Sequence, residues 1–159
     1  RLSRRPWMYW KTRTGRPFGN MQFAFHGHMV VLVDSYTISD GEAFSEGFRR
    51  LGLGPLVGTK TWGGGIWLRG ATRLVDGGMS RSPETGVYAP DGNWIIEGTG
   101  VQPDMVVDNL PHETFLGKDA QLEAAIAYLK RRIKEEPPAI PAPPERPDKS
   151  FRYPLPTPE

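Results

Sequence analysis

A serine with a helix starting directly behind it is the first residue of this chain that could do chemistry. Ser39 stands between Ile38 and Asp40 in "TISDGEAFSEGF", with Glu42 three residues on. A serine hydroxyl becomes a useful nucleophile when a base takes its proton and N–H donors receive the oxyanion. The open end of a helix meets the second need, because its first amides lack intrahelical partners and carry partial positive charge. The Asp40 N–H is the donor that such a start would set beside Ser39. The same letters also spell a cap, with Ser39 or Asp40 as the N-cap and Glu42 closing a capping box. "SDGE" is not the G-x-S-x-G of a nucleophile elbow. On the residues alone the cap is the expected reading.

Other residues invite chemistry less directly. Glu97 follows Trp94, Ile95 and Ile96 and precedes Gly98, an apolar setting in which a carboxylate needs a partner, unless it faces water at a strand end. His26 and His28 form H-x-H, which on a strand puts two imidazoles on one face. Two ligands without a third nearby make no metal site, so a loop entering a strand is the expected reading. His112, in "LPHETF", reads as a surface loop residue. Gly63 to Gly65 read as a tight turn that permits close backbone approach. Trp62 and Trp67 could line a cleft or fill a core.

The elements that would position Ser39 are legible. "HMVVLVD" (28–34) is a short apolar run, expected to be a strand buried on both faces as in a helix-covered parallel sheet. Ala43, Phe44, Gly47, Phe48 and Leu51 recur at spacings of three and four, an apolar helical stripe that Gly52 and Gly54 would end. "PLVGT" (55–59) resumes a strand, giving the strand–helix–strand grammar of an α/β domain. "IWLRG", "ATRLVD", "GVYAP" and "NWIIEG" predict short strands or hairpins, and "DMVVDN" (104–109) another short buried strand. From Asp119, a plausible cap, Leu122, Ala125, Ile126, Leu129 and Ile133 predict a helix that Pro137 stops.

Composition bounds the remainder. The chain has 159 residues, one domain's worth, and a formal charge of only +2 with both signs scattered. No basic stripe interleaves with aromatics, which argues against a nucleic-acid partner. The closest approach, "RLSRRPWMYWKTRTGR", reads as the solvated end of a helix followed by a loop. No apolar run approaches the ~20 residues of a membrane span. The absence of cysteine excludes disulfides and thiolate metal sites. From Pro137 on, "PPAIPAPPERPDKSFRYPLPTPE" holds nine of the sixteen prolines, predicting an extended polyproline-II-like tail that Phe151 and Tyr153 could anchor. The opening Arg1 and "RLSRRPW" read as the last turn of something begun earlier, so an N-terminal portion is expected upstream. Cytoplasmic and periplasmic or secreted locations both stay open.

The block "MVVLVDSYTISDGEAFSEGFRRLGLGPLVGTKTWGGG", followed by "IEGTGVQPDMVV", resembles the catalytic core of the S41 serine peptidases, the family of the C-terminal (tail-specific) processing proteases. "SDGE" and "LGLGPLVGTKTWGG" are similar to its tricorn-type branch, and matching motifs run from about residue 27 to residue 136. The resemblance implies a ClpP/crotonase-like α/β core, residues 1–136 as the C-terminal part of a catalytic domain, and 137–159 as a proline-rich tail. It implies Ser39 as nucleophile, Asp40 as oxyanion donor through its N–H, and Glu97 as the glutamate of a Ser-His-Ser-Glu tetrad, where it accepts a hydrogen bond from the second serine. The histidine, that serine and the other oxyanion donor lie upstream in such proteins, around a PDZ-like insertion, and nothing in residues 1–26 matches them. Tail-specific relatives use a serine–lysine dyad, and Lys60, 21 residues after Ser39, is the alternative base. The implied partners are a peptide or unfolded-protein substrate, further copies in a homo-oligomer, and the upstream segments of the same protein. No cofactor is implied. A rival expectation is a non-catalytic peptide-binding or assembly module that keeps the fold.

Overall fold

A computed structural model describes residues 2–20, 24–68 and 72–151. The chain begins with a hairpin, β1 (Tyr9–Trp10) antiparallel to β2 (Phe18–Gly19), where the sequence had predicted a helix end and a loop. The reason is local. Thr12 Oγ1 accepts the Gly15 N–H at 2.9 Å, folding "KTRTGR" into a turn, and the Trp10 and Phe18 rings meet across the pair at 6.1 Å.

β3 (Val31–Val33), α1 (Asp40–Arg50) and β4 (Leu56–Gly58) form a parallel βαβ unit with Leu32 opposite Val57. β5 (Trp67–Leu68), β6 (Thr72–Arg73), β7 (Met79–Ser80) and β8 (Pro83–Thr85) follow as antiparallel pairs, β6 with β7 inside β5 with β8. β9 (Met105–Val106) then adds to the free edge of β4, so the parallel sheet runs β3-β4-β9. α2 (Pro111–Phe115), which carries His112, and α3 (Ala120–Glu135) complete the order. The Asp119 carboxylate caps α3 by accepting Leu122 N–H at 2.9 Å, and α3 packs on β3 and β4.

The core joins Val33 and Leu56 of the sheet to Phe48 of α1 and to Ile96 and Val101. Burying a side chain such as Phe48 stabilises the fold by about 1.5–3 kcal/mol. Strand alternation sends Leu32 and Val57 to the other face. Here the expectation of strands buried on both faces needs correcting: Leu32 is 41% exposed and Val106 of β9 80%. Both belong to edge strands among the described residues.

The α1 stripe differs too. Phe44 and Leu51 are exposed, and the buried face carries Glu42, Ser45 and Glu46 with Phe48. Each polar group there is satisfied: the Ser45 hydroxyl donates to the Gly41 carbonyl at 2.7 Å, and Glu46 accepts from Arg49 and Arg50 at 2.5 and 2.6 Å. Burial alone would raise the Glu46 carboxyl, but the two guanidinium groups hold it below its ordinary value. On α3 the same displacement occurs. Leu122, Ile126 and Ile133 are exposed, while Gln121 and Ala125 are buried, Gln121 donating from Nε2 to the Val107 carbonyl at 3.1 Å.

Beyond Glu136 the described residues form neither helix nor strand. Phe151 is exposed, and Tyr153 lies outside the described residues.

Candidate active site

β3 ends at Val33, and the chain turns through Asp34 to Ile38 before α1 begins. The turn is tied by the Asp34 side chain, which accepts Tyr36 N–H at 2.9 Å, and by the Thr37 amide, bonded to the Asp34 carbonyl at 3.0 Å. At its end Ser39 has φ 56° and ψ −117°. Among the described residues only Ser39 and Ile96, at φ 73°, are non-glycine residues with positive φ. Such conformations cost of order 1–3 kcal/mol and persist where surrounding bonds over-determine them. Ser39 and Asp40 are both exposed.

The first turn of α1 distributes its amides unequally. Gly41 N–H reaches the Ile38 carbonyl at 3.0 Å, and Glu42 and Ala43 N–H reach the Ser39 carbonyl at 2.9 and 3.0 Å. The Asp40 N–H has no partner among the described residues. Ser39 and Glu42 stand in capping-box relation, but its two halves are unequal. The Glu42 amide is already committed to a carbonyl, and the Ser39 hydroxyl makes no cap hydrogen bond of good geometry. The carboxylate half is well formed, Glu42 Oε2 accepting Ser39 N–H at 3.0 Å.

Glu42 does far more than cap. It is 0% exposed, and its oxygens accept four hydrogen bonds. Oε1 takes the Thr61 hydroxyl and the Gly63 N–H, each at 2.6 Å; Oε2 takes the Gly64 N–H at 2.8 Å besides Ser39. Thr61 Oγ1 in turn accepts Val101 N–H at 2.7 Å. Burial by itself would raise this carboxyl. The bonds from Thr61, Gly63, Gly64 and Ser39 outweigh it and hold the group below its ordinary 4.5. One buried carboxylate thus fastens the strained serine to the glycine turn and, through Thr61, to the core.

The same turn serves the second candidate. Gly65 N–H donates to Glu97 Oε2 at 2.8 Å, and Gly98 N–H to the Gly63 carbonyl at 2.9 Å. A side chain at Gly65 would place Cβ 2.8 Å from Ile96 Cβ, so only glycine lets the two segments approach this closely. Ile96 is buried, and its carbonyl accepts the Thr99 and Gly100 amides at 3.0 and 2.7 Å, which locks its left-handed backbone and turns Glu97 outward. Glu97 is exposed in this chain, beside a cavity of about 320 Å³ lined by Ile66, Gly86, Val87 and Trp94. Its backbone is held by an apolar neighbour and its carboxylate by one amide.

The remaining candidates fall apart from this arrangement. Lys60 is exposed, and no hydrogen bond or ion pair among the described residues joins it to Ser39 or Glu97. His28 Nε2 lies 2.7 Å from the Glu136 carbonyl at the end of α3, and His26 is exposed. No group of three or more His, Asp or Glu that could hold a metal occurs among the described residues. Trp62 and Trp67 are both at the surface rather than in the core. The sequence reading gave Glu42 a capping role only, and its spacing three residues from Ser39 was the available signal. Nothing in the sequence marks Ile96 as strained.

Comparison with known proteins shows the family of the chain. The model for peptidase family S41 matches residues 3–107. The tricorn protease of Thermoplasma acidophilum is 37% identical over 108 residues, 68% of this chain and 10% of its own length. Tricorn protease homolog 1 of Streptomyces coelicolor is 35% identical over 126 residues, 79% of this chain and 12% of its own length. The chain therefore spans about a tenth of these curated relatives. A crystal structure of the tricorn protease superposes with a TM-score of 0.76 at 33% identity, covering 84% of this chain and 13% of that one. A parallel βαβ unit with a strained serine at its helix start thus sits within a sequence match over most of the chain, and the protein belongs to peptidase family S41, among its tricorn-like members.

Proposed function

We propose that this chain carries the nucleophile of a serine-type peptidase that cleaves peptide bonds in oligopeptides or unfolded proteins. Residues 1–136 are the C-terminal part of its catalytic domain, and 137–159 a proline-rich tail. The observation that carries the proposal is the start of α1, an exposed serine in a strained backbone next to a first-turn amide that has no partner among the described residues. A mere cap needs no strained backbone, and the free amide common to helix starts here lies beside an exposed hydroxyl.

In this reading Ser39 Oγ attacks the substrate carbonyl carbon while its proton passes to a base. Negative charge develops on the carbonyl oxygen, and the Asp40 N–H, aligned with the α1 dipole, is placed to receive it. Collapse of the tetrahedral intermediate expels the amine, which takes the proton back from the base, and water then releases the acyl group by the same steps in reverse order. Glu97 accepts a hydrogen bond from a second serine that orients a histidine, both supplied by upstream segments of the same protein. Its second oxygen, which accepts no hydrogen bond among the described residues, and the adjoining cavity support that role. The complete protein works as a homo-oligomer. Glu42 keeps Ser39 in its strained conformation.

The test is peptide hydrolysis by the complete protein and by the isolated 159 residues. The complete protein should cleave peptides and lose that activity on Ser39→Ala, and the isolated chain should be inert for want of a proton acceptor. Robust serine-dependent turnover by the isolated chain would place the base inside it and make Lys60 the leading candidate. A complete protein that binds peptides without cleaving them would leave the non-catalytic module as the correct reading.

A further inference from the structure

The tail after α3 contains "PAPPER", residues 141–146. Pro141 and Pro144 are in P-x-x-P relation, which in a three-residue-per-turn polyproline helix puts both rings along one edge. In the structure Pro141, Pro143 and Pro144 face Tyr9, Trp10 and Pro17 of the β1–β2 hairpin across a crevice of about 270 Å³. The hairpin face is aromatic and braced, with the Trp10 ring resting against Phe18. This is the surface chemistry that proline-rich segments seek: flat aromatic rings for proline edges, and a ligand whose φ is already fixed, so little entropy is lost on docking. The segment is tied at both ends. At its start the Glu136 carbonyl meets His28 Nε2 at 2.7 Å, and past the prolines Arg146 donates to the Thr12 carbonyl in the hairpin turn at 3.0 Å.

We propose that the β1–β2 hairpin is a polyproline-recognition surface occupied by the chain's own segment 141–146, a strap that holds the hairpin to the catalytic body. The strap connects the hairpin to the C-terminus of α3, and α3 packs on β3 and β4, the strands that flank the Ser39 turn. In this segment it is prolines of the tail that meet aromatics of the hairpin.

Hydrogen exchange on the complete protein, read by mass spectrometry over residues 7–20, tests this. That window includes the Asn20 amide, which is bonded to the Met8 carbonyl at 3.2 Å. Replacing residues 137–151 by a Gly–Ser linker of equal length should speed exchange there by about tenfold or more, and Pro141→Ala/Pro144→Ala should do so in part. Exchange in residues 61–65 should not change. A synthetic peptide of residues 137–151 added to the linker variant should restore protection, and Trp10→Ala in that variant should abolish the restoration. Hairpin exchange within twofold of the parent in the linker variant would overturn the proposal, as would equal restoration by a peptide with its prolines replaced by alanine. Hairpin protection in the unaltered protein should not change with protein concentration, and protection lost on dilution to monomer would overturn the assignment to the chain's own tail and transfer it to a neighbouring copy.

Discussion

Replacing Glu42 by glutamine keeps the side chain's shape and removes half of its acceptor capacity. The parent carboxylate receives two donors on each oxygen. If the new NH2 group replaces Oε2, it faces the Ser39 and Gly64 amides, and both lose their acceptor. If it replaces Oε1, the Thr61 hydroxyl can rotate and accept, since its second lone pair is free beside the Val101 amide, and only the Gly63 amide is orphaned. The second orientation wins, with one buried amide unpaired and the charge lost from the other bonds. Those losses sum to about 2–4 kcal/mol of local stability. At 1.4 kcal/mol per tenfold, amides of residues 61–65 should exchange roughly 30- to 1,000-fold faster in the complete Glu42→Gln protein. Peptide hydrolysis should fall with them, because Ser39 is no longer held in its strained conformation. The pH dependence follows from the direction of the shift. Burial raises the Glu42 carboxyl but the four donors lower it by more, so its folded value lies below the unfolded 4.5. Its contribution is complete above that value and is lost as pH falls through the depressed one, so parent and variant should converge in acid. Exchange within threefold of the parent at neutral pH, with full activity, would refute the role given to this carboxylate.

Three further perturbations separate the parts of the site. Ser39→Gly and Ser39→Ala should both abolish hydrolysis, but glycine accepts the positive φ without strain, so its variant should be the more stable by about 1 kcal/mol in thermal or denaturant unfolding. Gly65→Ala should cost about 1–3 kcal/mol and displace Glu97, because the added carbon lies 2.8 Å from Ile96 Cβ, whereas Gly64→Ala, with its nearest contact at 3.6 Å, should be tolerated. Equal melting temperatures for that pair would contradict the packing argument. Glu97→Gln should lower hydrolysis less than Ser39→Ala, since an amide oxygen still accepts a hydrogen bond but supplies no charge to a developing imidazolium.

The framework of the fold was legible in the sequence because it is written in short-range periodicity. The valine run of β3, the Asp119 cap and the glycine after α1 each rest on neighbours within a turn or two. Gly52 takes φ 64° where the helix was expected to end. What the sequence did not disclose is long-range. Glu42 is buried because donors arrive from residues 61–64, whereas a helical wheel of α1 puts it opposite the apolar stripe, on the side expected to face solvent. The hairpin at residues 9–19 was masked by its charges, although Gly15 and Pro17 are ordinary turn chemistry. Of the apolar positions of α3, Leu122, Ile126 and Ile133 are exposed while Ala125 is buried, so periodicity found the helix but only part of its buried face. At the site, Ser39 and Asp40 were singled out from the helix start. The strain at Ser39 and Ile96 could not be, since φ at a single residue is imposed by contacts that close around it.

The central claim is that Ser39 is a nucleophile held in strain, not a cap. Its most direct measurement is covalent: incubate the complete protein with a fluorophosphonate, digest it, and locate the phosphonylated residue by mass spectrometry. The account predicts a single adduct on Ser39, formed in step with loss of peptide hydrolysis and absent in Ser39→Ala. Label on another residue with Ser39 unmodified, or hydrolysis that survives Ser39→Ala, would contradict it.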